Sequence, residues 1–160
     1  MNLSDEVIIP VPRQKVWEGL NDPDVLKQCI PGCEEIIKHS DTEMEARVTI
    51  KMGPVKATFK GAVTLSDIDA PNGYRISGEG KSMMGGATGG ANVKLEDVPE
   101  GTKLSYDVDA QVTGKIASLA QRFIEPTARQ LSGQFFETFA EVVSGTSTPK
   151  EEKPKKGKKK

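Results

Sequence analysis

"KIASLAQRFIEPTARQLSGQFFETFAEVV" occupies residues Lys115 to Val143 and holds four of the chain's five phenylalanines. Ile116, Leu119, Ala120, Phe123, Leu131, Phe135, Phe139 and Val142 recur at helical spacing and form one broad apolar stripe. The pattern predicts a single C-terminal helix of roughly 28 residues, about 42 Å long. Pro126 removes one backbone hydrogen bond near its middle and is expected to bend it. A helix this long and this amphipathic has to lie against a large apolar surface.

Upstream, the hydrophobic period is two. Met44, Ala46, Val48, Ile50 and Met52 alternate with Glu43, Glu45, Arg47, Thr49 and Lys51. The same alternation runs through Val55 to Leu65 and through Leu104 to Val112. Strands of this kind have one apolar and one wet face, as in an antiparallel sheet. Gly53-Pro54, Pro71-Asn72-Gly73 and Pro99-Glu100-Gly101 are the turn signals between them. About six strands fit between Cys33 and Val112, and "VIIPVP" near the N-terminus supplies another. Two short helices follow that first strand: one after Pro12, with Val16, Trp17 and Leu20 on a face, and one from Pro23 to the Pro31-Gly32 break. The expected class is α+β. A curved antiparallel sheet of about seven strands wraps one long helix in the helix-grip arrangement.

"GEGKSMMGGATGGANVKL", Gly78 to Leu95, resembles a phosphate loop at first sight. A P-loop needs glycine six residues before its lysine, and that position is Arg75; a dinucleotide fingerprint needs glycine where Met83 stands. The stretch reads better as two strands of a hairpin. Its glycines let the sheet bend and leave room on the inner face. Arg75 and Glu79, which flank the glycines, read as surface groups.

Composition narrows the function. Formal net charge is −1, but the segment 150–160 carries seven Lys against two Glu, which leaves about −6 for the rest. An acidic body with a basic tail free of aromatics disfavours nucleic-acid binding. The expected division is a folded domain over 1–144 and a disordered Lys-rich tail over 145–160. The tail's Lys155, Lys156, Lys158, Lys159 and Lys160 are candidates for weak, salt-sensitive contact with an anionic membrane surface. No signal pattern and no apolar run long enough to span a bilayer is present, so the expected address is cytoplasmic, with any membrane contact peripheral. With one histidine, His39, neither nucleophilic catalysis nor a metal site finds its partners, and Cys29 and Cys33 read as packed thiols.

"CIPGCEEI" (29–36), "GPVKATFKGAVTL" (53–65) and "DAQVTGKIASLAQRFIEPTARQLSGQFFETFAE" (109–141) closely resemble the CoxG family, the G-type carbon monoxide dehydrogenase subunits among the START-like, SRPBCC proteins. The likeness runs over roughly Leu3 to Val143. It implies a lipophilic cavity between sheet and helix, and an accessory role to molybdenum-containing CO dehydrogenases and related hydroxylases. It further implies a part in recruiting that enzyme to the membrane and in handling lipid-soluble quinone, without catalytic residues. Some relatives have longer, helix-forming C-terminal extensions, and this tail has none.

Together these readings give a non-enzymatic carrier of a lipophilic ligand. An isoprenoid quinone or other lipid is the expected occupant, and no covalent cofactor is expected. Phe59, Met83, Met84, Tyr106, Leu119, Phe123 and Leu131 are the expected apolar wall, with Tyr106 as its polar contact. Two alternatives stand beside it. An assembly factor would have a filled core around Phe123, Leu131 and Phe135. A cyclase or hydratase would need an inward acid or base.

Overall fold

The chain crosses from one edge of a sheet to the other before most of the sheet is built. A computed structural model describes residues 1–145. Strand β1 (Asn2–Ile9) lies at one edge; helices α1 (Arg13–Leu20) and α2 (Pro23–Cys29) carry the chain to the far edge. There β2 (Cys33–Lys38) starts an antiparallel meander through β3 (Glu43–Met52), β4 (Val55–Asp69), β5 (Gly73–Ser82), β6 (Gly85–Val98) and β7 (Gly101–Val112). The meander returns until β7 pairs with β1, giving the order β1-β7-β6-β5-β4-β3-β2. All seven strands predicted by the period-two pattern are present. The tail lysines Lys155 to Lys160 lie outside the described residues.

Helix α2 begins where Asp22 accepts a hydrogen bond from the Asp24 backbone N–H and Pro23 occupies the first turn. It ends at Ile30, and Gly32 turns the chain into β2 with φ +79°. A side chain at Gly32 would press on the Thr49 carbonyl. Glycine here sets how closely the α2–β2 corner approaches the sheet.

The C-terminal segment departs from expectation. It is broken, not bent: α3 (Lys115–Leu119) ends at Ala120, and α4 (Ile124–Ser144) starts after Phe123. In a continuous helix Pro126 would clash with the Arg122 carbonyl. The chain interrupts the helix just before that point, so Pro126 falls in the first turn of α4, where backbone N–H groups have no intrahelical acceptor. Helix α4, about 31 Å long, ends at Gly145 in the left-handed conformation.

Two apolar clusters lie at opposite ends of the sheet–helix interface. The larger contains Ile9, Val16, Leu95, Leu104 and Phe139, all fully buried or nearly so, with Trp17 edge-on to Tyr74 at 5.3 Å. Helix α4 reaches it through its C-terminal half, where Gly19 of α1 brings the backbone against Phe139 and Val143. The smaller cluster joins Met52, Ala57, Ile116 and Ala120 with Met84, Val112 and Phe123. Between the two the helix stands off the sheet.

Candidate functional site: an apolar cavity between helix and sheet

Alternation along the strands places a row of small residues in the middle of the concave face. Ala46, Gly61, Gly80 and Ala87 are successive cross-strand partners, as are Val63, Gly78, Gly89 and Ala110. Four glycines in two adjacent rows mean that the floor there is backbone. Helix α4 cannot descend to fill the space, because its ends are held by the two clusters. The result is a cavity of about 640 Å³. That size is within the range of small-molecule sites.

The roof is the N-terminal half of α4. Ile124, Thr127, Ala128, Leu131, Ser132, Phe135 and Phe136 line it at helical spacing. Val48, Ile50, Phe59, Ile76, Val93 and Val108 form the sheet side, and Ile30 and Pro31 of the α2–β2 corner close one flank. Aromatic rings gather at one end: Tyr106 stacks on Phe136 at 5.1 Å, Phe136 meets Phe135 edge-on at 4.9 Å, and Phe135 stacks on Phe139 at 5.6 Å. The Tyr106 hydroxyl is hydrogen-bonded to Ser132 across the cavity. Burial raises its pKa, which the Ser132 bond partly offsets, so the phenol stays neutral and able to donate. This pair is the polar landmark of an otherwise greasy space. Glu79 borders the cavity through the glycine strand, but its neighbours in sequence, Gly78 and Gly80, take the inward positions. Its side chain belongs to the convex face with Glu45, Lys60 and Lys81.

Of the seven residues expected in the wall, Phe59, Tyr106 and Leu131 line the cavity. Met84 and Phe123 do not; they belong to the smaller cluster that closes one end. Phe123 lies over the β3–β4 turn, its ring so close to Gly53 that an added Cβ would stand 2.6 Å from it. Met83 is fully exposed at the β5–β6 tip and Leu119 is 55% exposed on the outside of α3. Both are corrections with one cause: the helix break turns α3 away from the line of α4. Ser132, Ala128, Phe135 and Phe136 were missed as lining residues. The 124–128–131–135 spacing carried that signal, but small and polar positions were not read as wall.

Both cysteines are free, Cys29 buried and Cys33 half-buried. Among the described residues no group of three His, Cys, Asp or Glu could hold a metal ion. No described helix is long and apolar enough to cross a membrane.

A family profile for CoxG, the G-type carbon monoxide dehydrogenase subunit, matches residues 6–144, nearly the whole described chain. The chain belongs to the CoxG family. Among curated proteins no sequence matches it. Solved structures share the CoxG protein's helix-grip fold. A conserved protein of Geobacillus kaustophilus superposes with a TM-score of 0.84 at 24% identity, covering 91% of this chain and 97% of that one. A protein of Thermus thermophilus gives 0.68 at 15% identity, over 92% of this chain and 100% of that one. A protein of Chromobacterium violaceum gives 0.63 at 13%, over 89% and 96%. At these identities the likeness speaks for the fold alone.

Proposed function

We propose that the protein is a non-catalytic carrier that lodges an isoprenoid quinone between α4 and the sheet. In this reading it serves a molybdenum-containing CO dehydrogenase or a related hydroxylase, at the inner face of the cell membrane. The observation that carries the reading is the glycine-floored apolar cavity of about 640 Å³ with one hydrogen-bonding pair, Tyr106 and Ser132. A quinone has this polarity pattern: two carbonyl acceptors on a ring, and a hydrocarbon tail. An enzyme that removes electrons in water must deliver them to an acceptor whose tail prefers the bilayer. At about 0.8 kcal/mol per CH₂, moving such a tail unaided through water is prohibitive. A carrier whose cavity replaces the bilayer around the tail removes that barrier.

The ligand-free assembly factor predicts a filled interior; here Leu131 and Phe135 face open space instead of each other's neighbours. A cyclase or hydratase would need an inward acid or base, and the side chains turned into the cavity offer hydroxyls alone as polar groups. The test is native mass spectrometry with solvent extraction on protein made in a quinone-containing bacterium and purified without detergent. A stoichiometric isoprenoid quinone supports the carrier. A clean apo mass, unchanged after incubation with quinone-loaded vesicles, would overturn it and favour the assembly factor.

A further inference from the structure

We propose that the end of the molecule formed by the β3–β4 turn, the β5–β6 tip and α3 is a docking surface for an anionic lipid membrane. Three segments distant in sequence meet there. Met52, Met84, Ile116, Ala120 and Phe123 pack in one cluster, the Ile116 N–H donates to the Met84 carbonyl at 2.7 Å, and Phe123 covers Gly53. The segments 51–56, 81–86 and 113–123 contain Lys51, Lys56, Lys81, Lys115 and Arg122, and no acidic residue at all. All five are exposed. Lys51, Lys81, Lys115 and Arg122 form no salt bridge among the described residues.

The rest of the molecule has the opposite sign. The body carries about −6, and the turns at the other end of the strands hold Asp41, Asp69 and Glu100, with Asp67 and Asp97 beside them. Charge is therefore segregated along the strand direction, so an anionic surface would orient the molecule with the α3 end toward it. The segregation has a local cost. Lys51 sits directly across from Lys56, and Lys60 from Lys81, where like charges oppose strand pairing. Positions that break a local rule in this way are expected at functional surfaces.

Charge alone would fit any polyanion, and the apolar residues narrow the choice. Met83 projects fully exposed from the hairpin tip, and Leu119 is 55% exposed on the outer side of α3. Both stand among the cations. Apolar tips ringed by Lys and Arg suit the boundary between headgroups and acyl chains. Immediately behind Leu119, Ile116 and Ala120 are fully buried in the cluster that closes this end of the cavity. Docking would thus bring the closed end of the cavity, and not its aromatic end, to the lipid. The inference rests on the carrier reading for its purpose but not for its test.

The test uses the full chain with its seven tail lysines, Lys150 to Lys160, changed to Gln, so that the tail cannot supply the binding. Co-sedimentation with phosphatidylglycerol–phosphatidylcholine vesicles is compared with phosphatidylcholine vesicles. Binding to the anionic vesicles, lost with added salt, is the expected result. In that background Lys51→Glu with Lys115→Glu should weaken it about tenfold or more. Met83→Asp should weaken it too, and Met83→Trp should show a blue-shifted emission on the anionic vesicles. Neither Met83 variant threatens folding, since the side chain is fully exposed. Absence of binding by the tail-neutral chain, or undiminished binding by the Glu and Asp variants, would overturn the proposal. So would a Met83-dependent dimer in place of vesicle binding, which would assign the tip to a second copy of the chain. Uptake of detergent-solubilised quinone, measured on the same variants, is expected to persist. Its loss in the unmutated chain would count against the carrier and leave the docking surface standing.

Discussion

Single residues decide how much room the cavity has. A Cβ built on Gly80 would sit 3.6 Å from Phe59, an ordinary contact, whereas one on Gly89 would lie 2.7 Å from the Asp109 carbonyl. Gly80→Leu should therefore occupy the cavity floor without disturbing the sheet. Quinone uptake is expected to fall at least about tenfold with the thermal midpoint unchanged or raised, because a strand glycine is replaced by a residue that can pack. Gly89→Leu, by contrast, should destabilise the fold itself. Tyr106→Phe keeps the ring stack on Phe136 but removes the hydroxyl that meets Ser132. If that hydroxyl holds the ligand's carbonyl, affinity measured by titration should drop by about 1 kcal/mol, roughly fivefold. Unchanged affinity would place the quinone ring elsewhere in the cavity.

At the level of elements, α4 does two jobs with two halves of one stripe. Its first three turns roof the cavity, and its C-terminal part, through Phe139, anchors it in the larger core beside α1. Gly19 makes that anchorage possible, since a Cβ there would stand 2.6 Å from Val143. Gly19→Val should cost about 1–3 kcal/mol in urea unfolding, the usual effect of overpacking. The period-two runs at 43–52, 55–65 and 104–112 made the sheet legible in the sequence, and the glycines at 78–90 made its open floor legible as well. The break before Pro126 was not legible, because apolar residues continue at helical spacing from Ile116 through Phe123. What stops the helix is a steric clash with a carbonyl, and what holds Phe123 is the distant turn at Gly53. Neither leaves a mark on the local pattern. For that reason Met83 and Leu119 were expected in the wall, while Ser132 and Phe136, which form it, were passed over.

For the molecule as a whole, burial of groups that ionise at high pH sets an alkaline limit. Burial pushes the Cys29 thiol from 9.0 up to about 12, and raises the Tyr74 phenol as well. The proton is held more tightly in the folded state. The stabilisation is fully present below pH 9, where the unfolded thiol is also protonated, and is lost as pH climbs from there toward 12. Stability followed by urea titration should be level through neutral pH and decline above about 9. Cys29→Ala should remove the first part of that decline while lowering stability at pH 7. The void under α4 has a mechanical consequence as well. A folded chain that encloses about 640 Å³ of unfilled space occupies more volume than the same chain unfolded with water against every group. Hydrostatic pressure should therefore unfold the empty protein at unusually low values, and a seated ligand, by filling the space, should make it much harder to compress out of its fold.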